Sequence, residues 1–154
     1  MPTPEQLAET ATKLADSILR SLGFDSSVTA ECTEDEIALM ITSKDSGYII
    51  GENGSRLDDL QYVLNRLMIT QADNPPRIRV DCDHYRERAE AKLIDSARQK
   101  AERVLASGRP TTIGPLNAYH RRLVHSALAE ISGIRTESED VDSRFKRITI
   151  SPES

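Results

Sequence analysis

The stretch that most constrains this chain is Gly47-Tyr48-Ile49-Ile50-Gly51-Glu52-Asn53-Gly54-Ser55-Arg56-Leu57. A short apolar run enters two glycines three residues apart, and an apolar-periodic segment leaves them. Glycines at this spacing permit a turn that other residues resist, and they let a foreign backbone approach the main chain. The helix start that follows offers unpaired N–H groups and the positive end of a helix dipole, which suit a phosphodiester. The stretch therefore predicts a phosphate-tolerant glycine loop that opens a helix.

The flanking residues read as regular elements. Leu7, Ala11, Leu14, Ile18 and Leu22 recur at helical spacing over residues 4–22, with Thr3 as cap and Pro4 in the first turn. Val28, Ala30 and Cys32 alternate as a half-buried strand. Residues 36–42 form a second strand, whose run Ile37-Ala38-Leu39-Met40-Ile41 predicts burial on both faces. Leu57, Leu60, Leu64, Leu67 and Met68 stripe the helix after the loop, from about Ser55 to Thr70, and Pro75-Pro76 stops the pattern. Ile78, Val80 and Cys82 then alternate inward as a third strand. A long helix follows over 83–107, ended by Gly108-Arg109-Pro110. Thr111–Ile113 reads as a short strand, and Gly114-Pro115 as the start of a helix to Ile131 with Leu116, Leu123, Ala127 and Leu128 on its core face. Ile134–Ser138 and Phe145–Ser151 complete the set as strands.

Helix, strand, strand, glycine-loop helix, strand is the order of a type II KH domain, whose Gly-x-x-Gly loop clamps about four nucleotides. The fold class expected is α+β. A type II KH domain occupies residues 1–82, with a three-stranded sheet backed by helices. A small α/β domain entered by the long helix occupies residues 83–154.

Charge qualifies the nucleic-acid reading. The chain carries a net −5, but residues 1–82 hold 7 Lys/Arg against 14 Asp/Glu, a net −7, while residues 83–154 hold 13 against 11, a net +2. Between residues 96 and 129, Arg98, Lys100, Arg103, Arg109, Arg121 and Arg122 face Glu102 alone among the charged residues. A phosphate chain is drawn to the second half. No apolar run approaches the roughly 20 residues of a membrane span. The polar start Met1-Pro2-Thr3-Pro4-Glu5 lacks the pattern of an export leader, so a cytoplasmic location without membrane insertion is expected. Cys32 and Cys82 are too few for a disulfide framework and too isolated for a zinc site. Both read as packed thiols on the inward phase of their strands.

The second constellation is Tyr119-His120-Arg121-Arg122-Leu123-Val124-His125. Arg121 and His125 are four apart and share a helix face, with Arg122 beside them. A guanidinium can fork two donors onto a phosphate, and an imidazole can donate to phosphate or stack on a base. Arg144, Lys146 and Arg147 extend this basic surface. Taken alone, the spacing marks no more than a basic helix face.

Its position after the glycine loop says more. Between and around the two motifs stand Leu60-Gln61-Tyr62, the run from Val80 to Arg88, Ser107-Gly108-Arg109-Pro110, Thr136-Glu137-Ser138 and Arg147-Ile148-Thr149-Ile150. In this order the chain resembles the Jag family (SpoIIIJ-associated proteins, also called KhpB) over about residues 25–154. Members carry a KH domain followed by a domain named R-three-H for its Arg-x-x-x-His motif. The resemblance implies non-catalytic binding of single-stranded RNA, with single-stranded DNA as a related ligand. It also implies a bacterial RNA chaperone or post-transcriptional regulator, no cofactor or metal, and pairing with a small stand-alone KH protein or with a second copy. The residues implied are Ile50, Gly51, Glu52, Asn53, Gly54, Ser55, Arg56, Arg121, Arg122, His125, Arg144 and Arg147. The chain departs from the family at Glu52 and Asn53, where basic residues are usual, at His120, where Glu is usual, and in a turn over 139–142 without glycine. Many members carry an additional N-terminal domain with no counterpart in these residues.

Two other readings compete. The acidic first half could serve protein interaction or dimerisation instead of RNA. A hydrolase using His125 with Arg121 would need a carboxylate or nucleophile arranged with them, and the sequence provides none. Gly51-x-x-Gly54 lacks the Lys-Ser/Thr of a phosphate-binding P-loop and the third glycine of a dinucleotide fingerprint.

Overall fold

The chain, described over residues 1–153 in a computed structural model, runs α1 (Pro4–Ser21), β1 (Ser26–Cys32), β2 (Glu36–Ser43), α2 (Ser46–Ile50), α3 (Ser55–Ile69), β3 (Arg77–Cys82), α4 (Tyr85–Ser107), β4 (Thr111–Leu116), α5 (Ala118–Ala129), β5 (Ile134–Ser138) and β6 (Lys146–Pro152). It divides into two units, Met1–Arg86 and Glu87 onward, each mixing helices with a three-stranded sheet.

In the first unit, Thr3 and Gln6 form a reciprocal capping box. Thr3 Oγ1 accepts the Gln6 N–H at 3.2 Å, and Gln6 Oε1 accepts the Thr3 N–H at 2.9 Å. The buried face of α1 is Leu7, Ala8, Ala11, Ala15 and Leu19. It is rotated from the expected stripe: Leu14 and Ile18 are half-buried, and Leu22 is 65% exposed. The alanines let the helix axis approach the core closely, and the larger side chains move to the flanks. β1 pairs antiparallel with β2, and β2 pairs parallel with β3, setting Ile37 opposite Ile78 and Leu39 opposite Val80. Ile37, Leu39 and Ile41 are fully buried, whereas Ala38 and Met40 are only half-buried. The expected burial of β2 on both faces is therefore met on one, because the helices of this unit pack on the side bearing the isoleucines. Cys82 is buried, but Cys32 is only half-buried.

One element was not anticipated. Residues 46–50, read as an apolar run leading into the loop, form α2, which buries Ile49 and Ile50. It delivers the glycine loop from a fixed anchor.

The sheet order β1-β2-β3 leaves the outer edge of β3 unpaired by any strand. Side chains close it. Asn65 on α3 accepts the Ile78 N–H at 2.8 Å and donates to the Ile78 carbonyl at 2.9 Å. Gln61 accepts the Val80 N–H at 2.9 Å. Arg86 donates from Nε to the Val80 carbonyl at 2.7 Å, and its fork also reaches Asp58 at 2.8 Å and Gln61 at 3.3 Å. Buried Asp81 accepts the N–H groups of Cys82 and Arg86. The first compact unit runs through Arg86, with Tyr85 packed on its core and Arg86 bonded to β3 and α3.

In the second unit, α4 and α5 contribute Ala97, Ala101, Val104, Val124 and Leu128 to a core with Ile113, Ile148 and Ile150. The sheet order is β4-β6-β5, antiparallel throughout. Gly114-Pro115 does not start a helix. It lies within β4, at an irregularity between Ile113 and Leu116. The helix starts at Ala118, where the Asn117 carboxamide accepts the His120 N–H at 2.8 Å. Leu116 is consequently a strand residue, and Val124 with Leu128 takes the core positions while Leu123 and Ala127 are half-buried. Among the described residues, no helix is long and apolar enough to cross a membrane.

Replacing Asn65 with Ala leaves the Ile78 amide and carbonyl without their side-chain partner, at a cost of about 1–3 kcal/mol. Hydrogen exchange should show the Ile78 amide losing protection in Asn65→Ala while the Ile37 amide, inside the sheet, changes little. Equal protection of Ile78 in both proteins would contradict the closed edge.

Candidate nucleic-acid interface

The glycine loop is built from the core outward. Ser43 Oγ, at the end of β2, donates to the Asp25 carbonyl at 2.7 Å and accepts the Asp45 N–H at 3.0 Å, which fixes the entry to α2. Buried Ile49 and Ile50 then hold α2 down. Gly51 leaves it with φ +72°, Glu52–Gly54 make one turn of 3-10 helix, and Asn53 (φ +54°) and Gly54 (φ +79°) adopt positive φ before α3 begins. A Cβ on Gly51 would lie 2.7 Å from Arg56 Cγ, and one on Gly54 would lie 3.0 Å from the Tyr85 ring. Both glycines are required by backbone conformation and by what lies over them. No side chain caps the start of α3; the Gly54 N–H donates to the Gly51 carbonyl at 3.4 Å and the Ser55 N–H to the Glu52 carbonyl, and the positive dipole end lies beside exposed Glu52, Asn53 and Ser55.

The structure separates the expected loop residues into two groups. Ile50 is buried and anchors α2. Arg56 lays its stem over Gly51 and donates from Nη1 to the Tyr48 carbonyl at 2.9 Å, so it braces the loop. Glu52, Asn53, Ser55 and Arg56 are exposed, and of these only Arg56 is committed to bracing the loop. Glu52 places a carboxylate where a phosphate would approach.

In the second unit, Arg121 is committed to the backbone. Its Nη1 donates to the Leu116 carbonyl at 2.6 Å and to the Arg144 carbonyl at 3.3 Å. It thereby ties the end of β4 and the segment before β6 to the first turn of α5. His125 sits between two hydroxyls on β5, with Nδ1 2.7 Å from Thr136 Oγ1 and Nε2 3.1 Å from Ser138 Oγ. Hydroxyls can donate or accept, so either neutral tautomer is accommodated. Both residues of the spacing motif thus hold α5 against its neighbours.

The outward groups lie around them. Arg122 is exposed, one turn from Tyr119 on the same helix face, and Tyr119 is 47% exposed. The Arg144 guanidinium lies 5.6 Å from the centre of the Phe145 ring, which is 49% exposed. Arg147 is exposed on the outward phase of β6, and its N–H donates to Glu139 Oε1 at 2.9 Å. Exposed aromatic rings next to guanidinium groups are the chemistry that stacks unpaired bases while holding phosphates. Sequence reasoning singled out the arginines and missed Phe145 as an exposed ring beside one of them. The only signal for it was an aromatic residue at a strand start in a chain with 4% aromatics. Among the described residues, no group of acidic, His and Cys side chains could hold a metal ion.

The first unit also carries an apolar groove of about 240 Å³ between α1, α2 and α3, lined by Ile18, Leu22, Phe24, Tyr48, Leu60 and Val63 among others.

Comparison with known proteins places these features. Residues 91–152 match the R-three-H domain family. The chain is 30% identical over 149 residues to the RNA-binding protein KhpB of Clostridium symbiosum, covering 96% of this chain and 67% of that protein. It is 27% identical over 126 residues to the RNA-binding protein KhpB of Lactiplantibacillus plantarum, covering 82% and 39% respectively. It is 23% identical over 142 residues to that of Streptococcus pneumoniae serotype 2, covering 92% and 43%. The chain thus spans two thirds of the first relative and about two fifths of the other two.

If Arg121 positions the surface, its charge alone does not suffice. Arg121→Lys keeps the charge but cannot reproduce the short bond to Leu116 with the same reach, and hydrogen bonds from charged groups contribute about 1.5–3 kcal/mol. Thermal unfolding should show both Arg121→Ala and Arg121→Lys destabilised, with Arg122→Ala within about 0.5 kcal/mol of the parent. Unchanged stability in Arg121→Ala would remove the positioning role.

Proposed function

The chain belongs to the KhpB family, and from that premise we propose that it binds single-stranded RNA without catalysis, through a KH domain in the first unit and the R-three-H domain in the second. The observation that carries this reading is the Gly51–Gly54 loop, a positive-φ turn that exposes Glu52 and Asn53 at the start of α3, where no side chain caps the helix. The element order α-β-β-α-α-β, with β1 antiparallel and β3 parallel to β2, supports a type II KH assignment. The curated relatives are named as RNA-binding proteins.

In this reading the loop contacts a sugar-phosphate chain through the backbone amides of Glu52 and Asn53, since the Gly54 and Ser55 N–H groups already donate to the Gly51 and Glu52 carbonyls. Ile50, Gly51 and Arg56 shape it from beneath. In the second unit Arg122, Arg144 and Arg147 take phosphates, Tyr119 and Phe145 stack bases, and Arg121 with His125 holds that surface in place. Two weak sites on one chain reinforce each other by effective concentration. The negative first unit and positive second unit assign most of the salt-dependent affinity to the second. The role that fits is a cytoplasmic RNA chaperone or post-transcriptional regulator, acting alone or beside a stand-alone KH protein.

Glu52 provides the cleanest test. Substituting Gly54 would strike Tyr85 and strain the backbone, and Asn53 occupies a left-handed position that suits Asn. Glu52 is exposed, and its replacement changes only charge. Glu52→Lys should tighten binding of an unstructured RNA in fluorescence anisotropy and steepen the slope of log K against log salt by roughly 0.7. Affinity and slope equal to the parent's would mean that no phosphate approaches the loop.

One observation favours the second reading, a protein-interaction role for the first unit. The apolar groove beside exposed Leu22 and Tyr48 offers an apolar contact surface on this unit. Light scattering of the parent and of Leu22→Glu distinguishes the two. Self-association abolished by Leu22→Glu supports that role, and a monomeric parent removes self-association from it.

A further inference from the structure

A second basic concavity lies in the R-three-H unit, away from the Arg-x-x-x-His segment. The last two turns of α4, the turn after it and the first residue of β4 enclose about 200 Å³. Lys100, Arg103 and Ser107 share one face of α4 at three- and four-residue spacing. Gly108, with φ +70°, turns the chain back so that Arg109 joins them. The Arg109 backbone N–H donates to Ser107 Oγ at 3.1 Å, which fixes the turn, and the Lys100 ammonium donates to the Thr112 carbonyl at 3.1 Å, which tethers that cation. No acidic residue lines the concavity, and among the described residues none of the three cations is paired with a carboxylate.

Three full positive charges converging without a counter-charge repel one another, and an anion relieves that repulsion. The carboxyl end of α4 contributes only about half a negative charge there, which does not neutralise them. We propose that Lys100, Arg103 and Arg109 form a phosphate site that takes a second phosphodiester of the RNA strand held by the Arg122 surface. This rests on the RNA-binding reading above. β4 carries the concavity at its first residue, Thr111, and the Arg121 tie at its last, Leu116, so the two lie at opposite ends of the strand and the site lengthens the footprint along the same unit. The two non-bridging oxygens of a phosphodiester can accept the paired N–H groups of a planar guanidinium fork, which Arg103 and Arg109 offer. Inorganic phosphate presents the same chemistry in free form.

The test compares the full chain with Arg103→Gln/Arg109→Gln and with a charge-matched control, Arg98→Gln/Arg135→Gln, whose residues are exposed and outside the concavity. Binding of an unstructured RNA is measured against salt, and arginine side-chain N–H resonances are followed while inorganic phosphate is added. The expected result is weaker RNA binding by the pocket variant, with a slope shallower by roughly 0.7 and a control close to the parent. Equal losses in pocket variant and control would overturn the site, leaving only net charge. An unchanged pocket variant would overturn it too. If the parent binds no RNA, the functional reading fails separately, and the phosphate titration decides the pocket. Shifts at Arg103 and Arg109 would then support a site for free phosphate, and none would overturn the site altogether.

Discussion

The first unit depends on one guanidinium more than on any other polar group. Arg86 stands where β3 has ended and α4 has begun, and it bonds the Val80 carbonyl, Asp58 and Gln61 at once. These contacts reach β3 and two turns of α3, so the fork fixes α3 against β3 at the distance its own geometry sets. Buried Asp81 supports this arrangement by holding the Arg86 amide from below. A carboxylate out of water needs such donors, and the two backbone N–H groups on its Oδ1 supply them. The register of α3, and with it the aim of the glycine loop at the start of α3, follows from this fixed helix-to-strand spacing.

The second unit solves a related problem with the motif that gives its domain a name. Arg121 and His125 look from their spacing like ligand contacts, yet Arg121 faces carbonyls and His125 faces hydroxyls. A residue can be indispensable to a binding surface without touching what binds. Here the two side chains clip α5 to β4, to β5 and to the segment entering β6, and the groups left facing water are Arg122, Arg144, Phe145 and Tyr119. The division of labour is electrostatically sensible. Arg121 already commits its Nη1 donors to two carbonyls, whereas the exposed arginines keep theirs toward solvent, where a guanidinium fork is available to a phosphate.

Much of the fold was legible because hydrophobic period and punctuation agree. The alternation Ile78-Val80-Cys82 after Pro75-Pro76 and the stripe Leu57-Leu64-Met68 follow the structure closely. The errors have local causes. α2 is too short to display a helical period, so Tyr48-Ile49-Ile50 read as a run. Gly114-Pro115 resembles a helix start, but the stronger signal was Asn117, whose carboxamide caps α5. The α1 stripe was misplaced because alanine carries little weight in a pattern of large side chains, although it marks the closest approach to the core. At the candidate interface the residue types were legible and their orientations were not. Whether an arginine points at a phosphate or at a carbonyl depends on segments distant in sequence, such as Arg144 beside Arg121.

The closed edge of β3 has a consequence for how this molecule behaves in a crowded solution. An open sheet edge invites strands from other chains, through aggregation or exchange of elements between copies. On β3 a stray strand finds the Ile78 and Val80 groups already occupied by Asn65, Gln61 and Arg86, and must displace all three to begin pairing. The opposite edge, β1, presents exposed Glu31 in a net-negative unit, which repels a like-charged neighbour. One edge is guarded by chemistry and the other by charge, so the small sheet resists being extended by the strands of other chains.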